Sequence, residues 1–153
     1  GLAGEIPFLS AFTVDETTLP ATQDAALGLQ AGAQWAPNLD NAANKEFVAA
    51  FEAEYGYAPA TYAAQGYDAA RLIDAALKKA GGKGDKQALM AALKEAPFES
   101  VRGDFTFNTN NFPIQDVYVV KAVKRDDGKY VTETVEKVFE DKIDAYVDEC
   151  RMN

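Results

Sequence analysis

Apolar residues recur at helical spacing through the middle of the chain. Phe47, Phe51 and Tyr55 follow one another at four-residue steps, and Gly56 stands where a helix commonly ends in the left-handed conformation. Asp40 or Asn41 is placed to cap the start of this helix. The pattern therefore predicts a helix that begins near residue 41 and ends near residue 56.

Two further helices are predicted after short links. One opens with the segment TYAAQGYDAARL, residues 61–72, and ends at the glycines of residues 81–82. Asp85 is placed to cap the next helix, and Pro97 stops it. Three helices are thus expected in succession between residues 40 and 97.

The middle helix carries an unusual face. At 100° per residue its small and apolar positions align on one side, and they are Tyr62, Gly66, Ala69, Ile73 and Leu77. The opposite side is polar, with Gln65, Asp68, Arg71 and Lys78. A face made mostly of Ala and Gly lets another group approach closely, so Tyr62 in the first turn is the first candidate for ligand contact.

Strand patterns flank the helices. An apolar run predicts a buried strand at residues 6–12, and a weak alternation predicts another at residues 28–35, with a short helix at residues 21–27 between them. After residue 98 the apolar positions follow a period of two. Strands are predicted there at residues 105–107, 117–123 and 130–138, joined by turns at residues 108–111 and 127–128.

Together these elements predict an α/β architecture. A buried parallel strand such as residues 6–12 needs covered neighbours on both sides, and few candidate strands precede residue 105. The opening residues 1–5, GLAGE, lack an initiator Met. We therefore expect the chain to be a piece of a larger protein.

Composition and charge exclude several classes of protein. The 153 residues are 48% hydrophobic and 25% charged, which suits one globular domain with a real core. A formal charge of −9 argues against a nucleic-acid partner and against binding to anionic lipid. No apolar run approaches the roughly 18 residues of a membrane-spanning helix.

Candidates for catalytic or metal chemistry are few. The chain has no histidine, which removes the commonest general base, and a single cysteine excludes cysteine-rich metal sites. Pairs of neighbouring carboxylates are predicted to be solvated surface, and they are Asp15-Glu16, Asp126-Asp127, Glu140-Asp141 and Asp148-Glu149. We therefore predict a protein that is not an enzyme and that uses no cofactor and no metal.

Three aromatic residues and one cysteine leave alternatives open. Phe12, Trp35 and Tyr62 each lie at a strand end or helix start, where α/β folds place their ligands. Ligand contact and core packing stay open for Phe12 and Tyr62, whereas Trp35 favours core or hinge packing. Cys150 is a buried small residue, a reactive thiol or half of a disulfide whose partner lies elsewhere.

The order of five segments carries a family resemblance. In chain order they are IPFLSAFTVDETTL, GLQAGAQWAPNLDNAANKEFVAAFEAEYG, TYAAQGYDAARLIDAALKKAGG, VRGDFTFNTNNFPIQDVYVVKAV and DAYVDECRMN. Together they resemble the C-terminal half of the branched-chain amino acid type of ABC-transporter substrate-binding protein. The resemblance covers essentially the whole chain.

This resemblance implies the type I periplasmic binding fold, an α/β fold of two three-layer lobes of which this chain supplies only the C-terminal part. Residues 1–35 would belong to the second lobe and residues 36–127 to the first. Residues 128–153 would return to the second lobe and end in a C-terminal helix. The crossovers between lobes would lie near residues 35–37 and 125–127.

The resemblance also implies a ligand site. The family often has an acidic residue, which meets a substrate ammonium, at the position that Phe12 occupies here. Tyr62 corresponds to the aromatic residue that lines the pocket from the other lobe, and Thr13 offers a hydroxyl or backbone group. Phe12 puts an α-amino acid ligand in doubt and favours an aromatic or aliphatic carboxylate, although Asp15 remains able to supply the charge.

The implied function is capture of a small organic solute in the periplasm and its delivery to the membrane permease of an ABC transporter. The other implied partner is the missing N-terminal half or a second copy of the chain. A ligand-sensing domain of a receptor or regulator is the alternative, and it would continue into a membrane helix or signalling domain. A hydrolase is disfavoured because no nucleophile–base pair can be assembled without histidine, unless Ser10 acts with a lysine.

Overall fold

A computed structural model describes residues 5–82 and 85–150 of the chain. The strands are β1 (Leu9–Ala11), β2 (Gln30–Ala33), β3 (Thr106–Phe107), β4 (Pro113–Lys124) and β5 (Tyr130–Lys142). The helices are α1 (Leu19–Thr22), α2 (Ala42–Tyr55), α3 (Thr61–Lys79) and α4 (Lys86–Lys94), with 3₁₀ turns at Gln23–Ala26 and Val147–Glu149. The described residues thus confirm the predicted mixture of strands and helices.

The strands form one mixed sheet of five strands. β1 pairs with β2 in parallel, β2 pairs with β4 antiparallel, and β4 also pairs antiparallel with β3 and β5. β5 lies along almost the full length of β4, as the predicted turn at residues 127–128 requires. The turn at residues 108–111 joins β3 to β4 and is closed by a hydrogen bond from the Asn111 amide to the Asn108 carbonyl.

Local capping signals place the helices. The Asn41 side chain accepts a 2.7 Å hydrogen bond from the Asn44 amide, and Gly56 ends α2 with φ of 77°. Asp85 accepts from the amides of Gln87 and Ala88 at the start of α4. These partners satisfy backbone groups that a helix end leaves free. The predicted caps at Asn41 and Asp85 and the predicted end at Gly56 are confirmed.

The main core lies between the sheet and helices α2 and α3. Trp35, Phe47, Ala64, Val101 and Val120 are all buried there. The Trp35 ring meets Phe47 edge to face with centroids 6.2 Å apart, and its Nε1 donates a 2.7 Å hydrogen bond to the Asn44 Oδ1. Core packing of Trp35 is therefore confirmed.

The side of α3 that packs in the core is not the side of small and apolar residues. Tyr62 and Ile73, on the small and apolar side, are exposed, whereas Asp68, on the polar side, is buried together with Ala64 and Ala76. Asp68 accepts hydrogen bonds from the Ser100 hydroxyl, the Val101 amide and the Arg102 guanidinium. A carboxylate with these partners can be buried, so the polar character of Asp68 does not show whether it is exposed.

Asp15 and Glu16 are also buried, which corrects the prediction that they are solvated surface. The Asp15 Oδ1 accepts from the Thr17 amide and hydroxyl, and the Glu16 Oε1 accepts two 2.7 Å bonds from the amide and hydroxyl of Thr132. The second pair of bonds joins the turn after β1 to β5. Such long-range pairing is invisible in the local pattern.

Three predicted elements differ in extent or burial. The strand at residues 6–12 is shorter and mostly exposed, with Leu9 75% accessible, because among the described residues β1 pairs only with β2. The helix at residues 21–27 is the short α1 and a 3₁₀ turn instead. At the C-terminal end β5 continues to Lys142 and a 3₁₀ turn follows, so the predicted helix is absent from residues 143–150.

Two remaining expectations concern the chain as a whole. The described residues form one sheet in which β2 and β4 pair, and the boundaries between two lobes stay a prediction.

Cys150 is exposed, which excludes the buried alternative. Residues 1–4, 83–84 and 151–153, which include most of the opening segment and the last residues of the C-terminal motif, lie outside the described residues. No helix in the described part of the chain is both long and apolar enough to cross a membrane.

Candidate ligand-binding site

A cleft lies between the ends of β1 and β2 and the first turn of α3. Its volume is about 190 Å³, and it is lined by Phe12, Asp15, Gln34, Thr61, Tyr62 and Gln65. Phe12 directly follows β1 and Gln34 directly follows β2. Because these strands are parallel, both residues lie at the carboxyl edge of the sheet, where α/β proteins bind their ligands.

Phe12 and Tyr62, both predicted from sequence, lie in this cleft together. Phe12 is half exposed and has φ of 66°, in the left-handed region that side chains other than glycine rarely adopt. Tyr62 lies in the first turn of α3 and is 73% exposed. Neither ring is part of the core, so both are available to another molecule.

Helix α3 holds Tyr62 in place through its buried face. The carboxylate of Asp68, on the same helix, accepts a 2.9 Å hydrogen bond from the Val101 amide and a 2.5 Å bond from the Ser100 hydroxyl. The guanidinium of Arg102 lies 3.2 Å from the Asp68 Oδ2 and also donates a 2.6 Å bond to the Gln115 Oε1 on β4. The helix that presents Tyr62 is therefore tied to the sheet.

The third predicted residue, Thr13, is not among the residues that line the cleft. Its hydroxyl is hydrogen-bonded to the Ser10 hydroxyl, and its carbonyl accepts a 2.8 Å bond from the Thr18 hydroxyl. The structure therefore places Thr13 in the turn that supports the cleft.

Asp15 gives the cleft a buried carboxylate. It is 6% exposed, and its Oδ1 accepts from the Thr17 amide at 3.0 Å, the Thr17 hydroxyl at 2.6 Å and the Thr18 amide at 3.3 Å. All the hydrogen bonds that described residues donate to this carboxylate reach the same oxygen. The turn therefore fixes the carboxylate and leaves Oδ2 for another partner.

Sequence reasoning missed Gln34, Thr61 and Gln65. Each is adjacent in the fold to a residue that was found, since Gln34 follows a strand as Phe12 does, and Thr61 and Gln65 flank Tyr62 on α3. The only available signal was this adjacency, because a glutamine at a strand end or on a helix is usually solvated surface.

Other cavities lie away from the strand ends. One of about 470 Å³ is lined by Glu16, Tyr57 and Tyr130, among other residues. Burial raises the pKa of Glu16 above its ordinary value of 4.5, although the hydrogen bonds from Thr132 oppose the shift. This carboxylate links the turn after β1 to strand β5 through its hydrogen bonds with Thr132.

The family model described as periplasmic binding protein matches residues 1–129. The chain therefore belongs to the periplasmic binding protein family, as the resemblance predicted.

Three proteins are similar to this chain in sequence or in structure. A curated protein of Brucella abortus, Leu/Ile/Val-binding protein homolog 1, is 37% identical over 93 residues, which are 60% of this chain and 24% of that protein. The solved structure of an ABC transporter substrate-binding protein from Sphaerobacter thermophilus is 34% identical with a TM-score of 0.81, over 92% of this chain and 40% of that one. An ABC transporter solute-binding protein from R. palustris, solved in complex with benzoate, is 34% identical with a TM-score of 0.73, over 84% of this chain and 35% of that one.

The structural likeness confirms the type I periplasmic binding fold. The chain spans 24% of the curated relative and 35–40% of the two solved chains. What those whole proteins bind and deliver is therefore a property of longer molecules.

Proposed function

We propose that this chain is part of the solute-binding component of an ABC importer, which captures a small organic solute in the periplasm and delivers it to a membrane permease. The observation that carries the proposal is the meeting of Phe12 and Tyr62 in one cleft at the carboxyl edge of the parallel strands. Membership of the periplasmic binding protein family supports the role and the compartment.

The ligand is proposed to be an amino acid or an aromatic or aliphatic carboxylate, with the aromatic acid favoured. Two exposed aromatic rings at the cleft supply a surface on which a planar ring stacks. Phe12 brings no charge to the position where the resemblance implies an acidic partner for an ammonium. An amino acid stays the second candidate, since the carboxylate of Asp15 is buried beside the same cleft and can meet an ammonium. One relative is named for Leu/Ile/Val and another was solved in complex with benzoate, and these are the same two kinds of ligand.

The proposed mechanism is closure of two lobes around the solute. Ligand stabilises the closed state because it touches both lobes only there. The N-terminal half of the protein would supply the remaining ligand contacts, and no covalent step is required.

Substitution of Tyr62 tests this proposal. In the complete gene product that contains these residues, Tyr62→Ala removes a ring from the cleft, so we expect the affinity for the bound acid to fall at least about tenfold. Because Tyr62 is 73% exposed, the melting temperature should change little. Titration calorimetry with benzoate and with leucine measures the affinity of the parent and the variant.

The matched control is Tyr146→Ala, since Tyr146 is 68% exposed and lies outside the cleft. It should bind as the parent does. Equal affinity in Tyr62→Ala and the parent would contradict the assignment of the cleft. Tight binding of leucine without binding of benzoate would overturn the preference for an aromatic acid and leave the transport role intact.

A further inference from the structure

Two carboxamides lie beside the aromatic rings on the wall of the cleft. Gln34 follows β2 and Gln65 lies on α3, one turn beyond Thr61. The hydrogen bonds made among the described residues involve neither carboxamide. Each is therefore free to meet a ligand.

The chemistry of this wall suits a neutral polar group. A carboxamide both donates and accepts hydrogen bonds but carries no charge, so it pairs well with a hydroxyl and does not neutralise a carboxylate. Among the described residues, the lining has one carboxylate, Asp15, and neither Lys nor Arg. This wall is therefore unsuited to the carboxylate end of an organic acid and suited to the opposite end.

From this arrangement we infer that Gln34 and Gln65 are specificity-determining residues that hydrogen-bond a hydroxyl on the ring of an aromatic acid, at the end remote from its carboxylate. The inference rests on the proposed function and narrows its ligand class to ring-hydroxylated aromatic acids such as 4-hydroxybenzoate. Lobe closure would bury the two amides, and a ligand without the hydroxyl would leave them unpaired. A site built in this way discriminates against the analogue that lacks the polar group.

The two amides come from different parts of the fold, and together they select a ligand that carries a hydroxyl. Gln34 is held by the short parallel strand β2 and is half-buried, whereas Gln65 projects from the rigid helix α3 that Asp68 ties to the sheet. A hydroxyl that reaches both is fixed in position between Phe12 and Tyr62. Loss of either amide removes one of its partners and leaves the aromatic contacts unchanged.

The test compares two ligands in the complete gene product by titration calorimetry. The parent should bind 4-hydroxybenzoate at least about tenfold more tightly than benzoate. Gln65→Leu and Gln34→Leu keep the approximate size of the side chain and remove its polar atoms. Each variant should lose about tenfold in affinity for 4-hydroxybenzoate and stay within about twofold of the parent for benzoate.

Gln87→Leu is the matched control, because Gln87 is an exposed residue on α4 and lies outside the cleft. It should bind both acids as the parent does. A parent without preference for the hydroxylated acid, or variants that lose both acids equally, would overturn the inference and leave the proposed function standing. A parent that binds neither acid would overturn the inference together with the proposed aromatic ligand.

Discussion

The backbone of Phe12 is strained where the cleft opens. A φ of 66° at a phenylalanine costs on the order of 1–3 kcal/mol and persists only where surrounding structure imposes it. Asp15, just beyond it, is fixed by hydrogen bonds to Thr17 and Thr18. Strain and a buried carboxylate in one short turn support the proposal that this turn contacts a ligand.

Glu16, the next residue, makes the free energy of unfolding depend on pH. Burial raises its pKa above 4.5 in the folded protein. The folded state therefore holds a proton that the unfolded chain has already released as the pH rises through this window. Glu16 thus lowers the free energy of unfolding between pH 4.5 and its raised pKa, and the loss persists at higher pH.

Glu16→Gln should therefore stabilise the protein at pH 7. The amide oxygen of Gln keeps an acceptor for the two bonds from Thr132, and the cost of burying a charge disappears. The gain over the parent, measured by urea unfolding, should grow as the pH rises from 4 through the raised pKa of Glu16.

The control for this change is Glu133→Gln, which removes an exposed carboxylate from β5. Its difference from the parent should be small at each pH. If the gain from Glu16→Gln were independent of pH, or were matched by Glu133→Gln, then burial would not control the protonation of Glu16.

At the scale of the element, helix α3 contributes residues both to the core and to the cleft. Its residues Tyr62 and Gln65 line the cleft, whereas Ala64 and the carboxylate of Asp68 are buried. Asp68 joins the helix to the segment of Ser100, Val101 and Arg102. The position of the two cleft residues therefore depends on a buried polar contact made by the same helix.

Asp68→Ala should destabilise the protein by about 3–5 kcal/mol, because it leaves the largely buried Arg102 guanidinium without its carboxylate partner. Asp74→Ala on the same helix removes an exposed pair with Lys78 and should cost about 0.3–0.5 kcal/mol. Urea unfolding of both variants measures the difference. Similar costs for the two substitutions would show that Asp68 does not anchor α3.

Elements governed by local chemistry could be predicted from sequence. The cap at Asn41, the end of α2 at Gly56, the cap at Asp85 and the turn at residues 108–111 all depend on neighbours close in the chain. The face of α3 could not, since the burial of Asp68 depends on Ser100 and Arg102. The burial of Glu16 likewise depends on Thr132, a distant residue on β5.

At the scale of the whole molecule, strand pairing assembles the site. Phe12 and Gln34 lie side by side because β1 pairs in parallel with β2, and β2 is fixed by its antiparallel pairing with β4. Phe12 and Tyr62 were predictable through the resemblance, whereas Gln34, Thr61 and Gln65 carry no sequence signal of their own. Their role follows from the sheet edge and helix start that bring them together.

The central claim is that a solute binds between Phe12 and Tyr62. A crystal structure of the complete gene product grown with 4-hydroxybenzoate tests it most directly. We expect the aromatic ring of the ligand within about 4 Å of both side chains and its hydroxyl within hydrogen-bond distance of Gln34 and Gln65. A ligand bound elsewhere, with this cleft closed to it, would contradict the account.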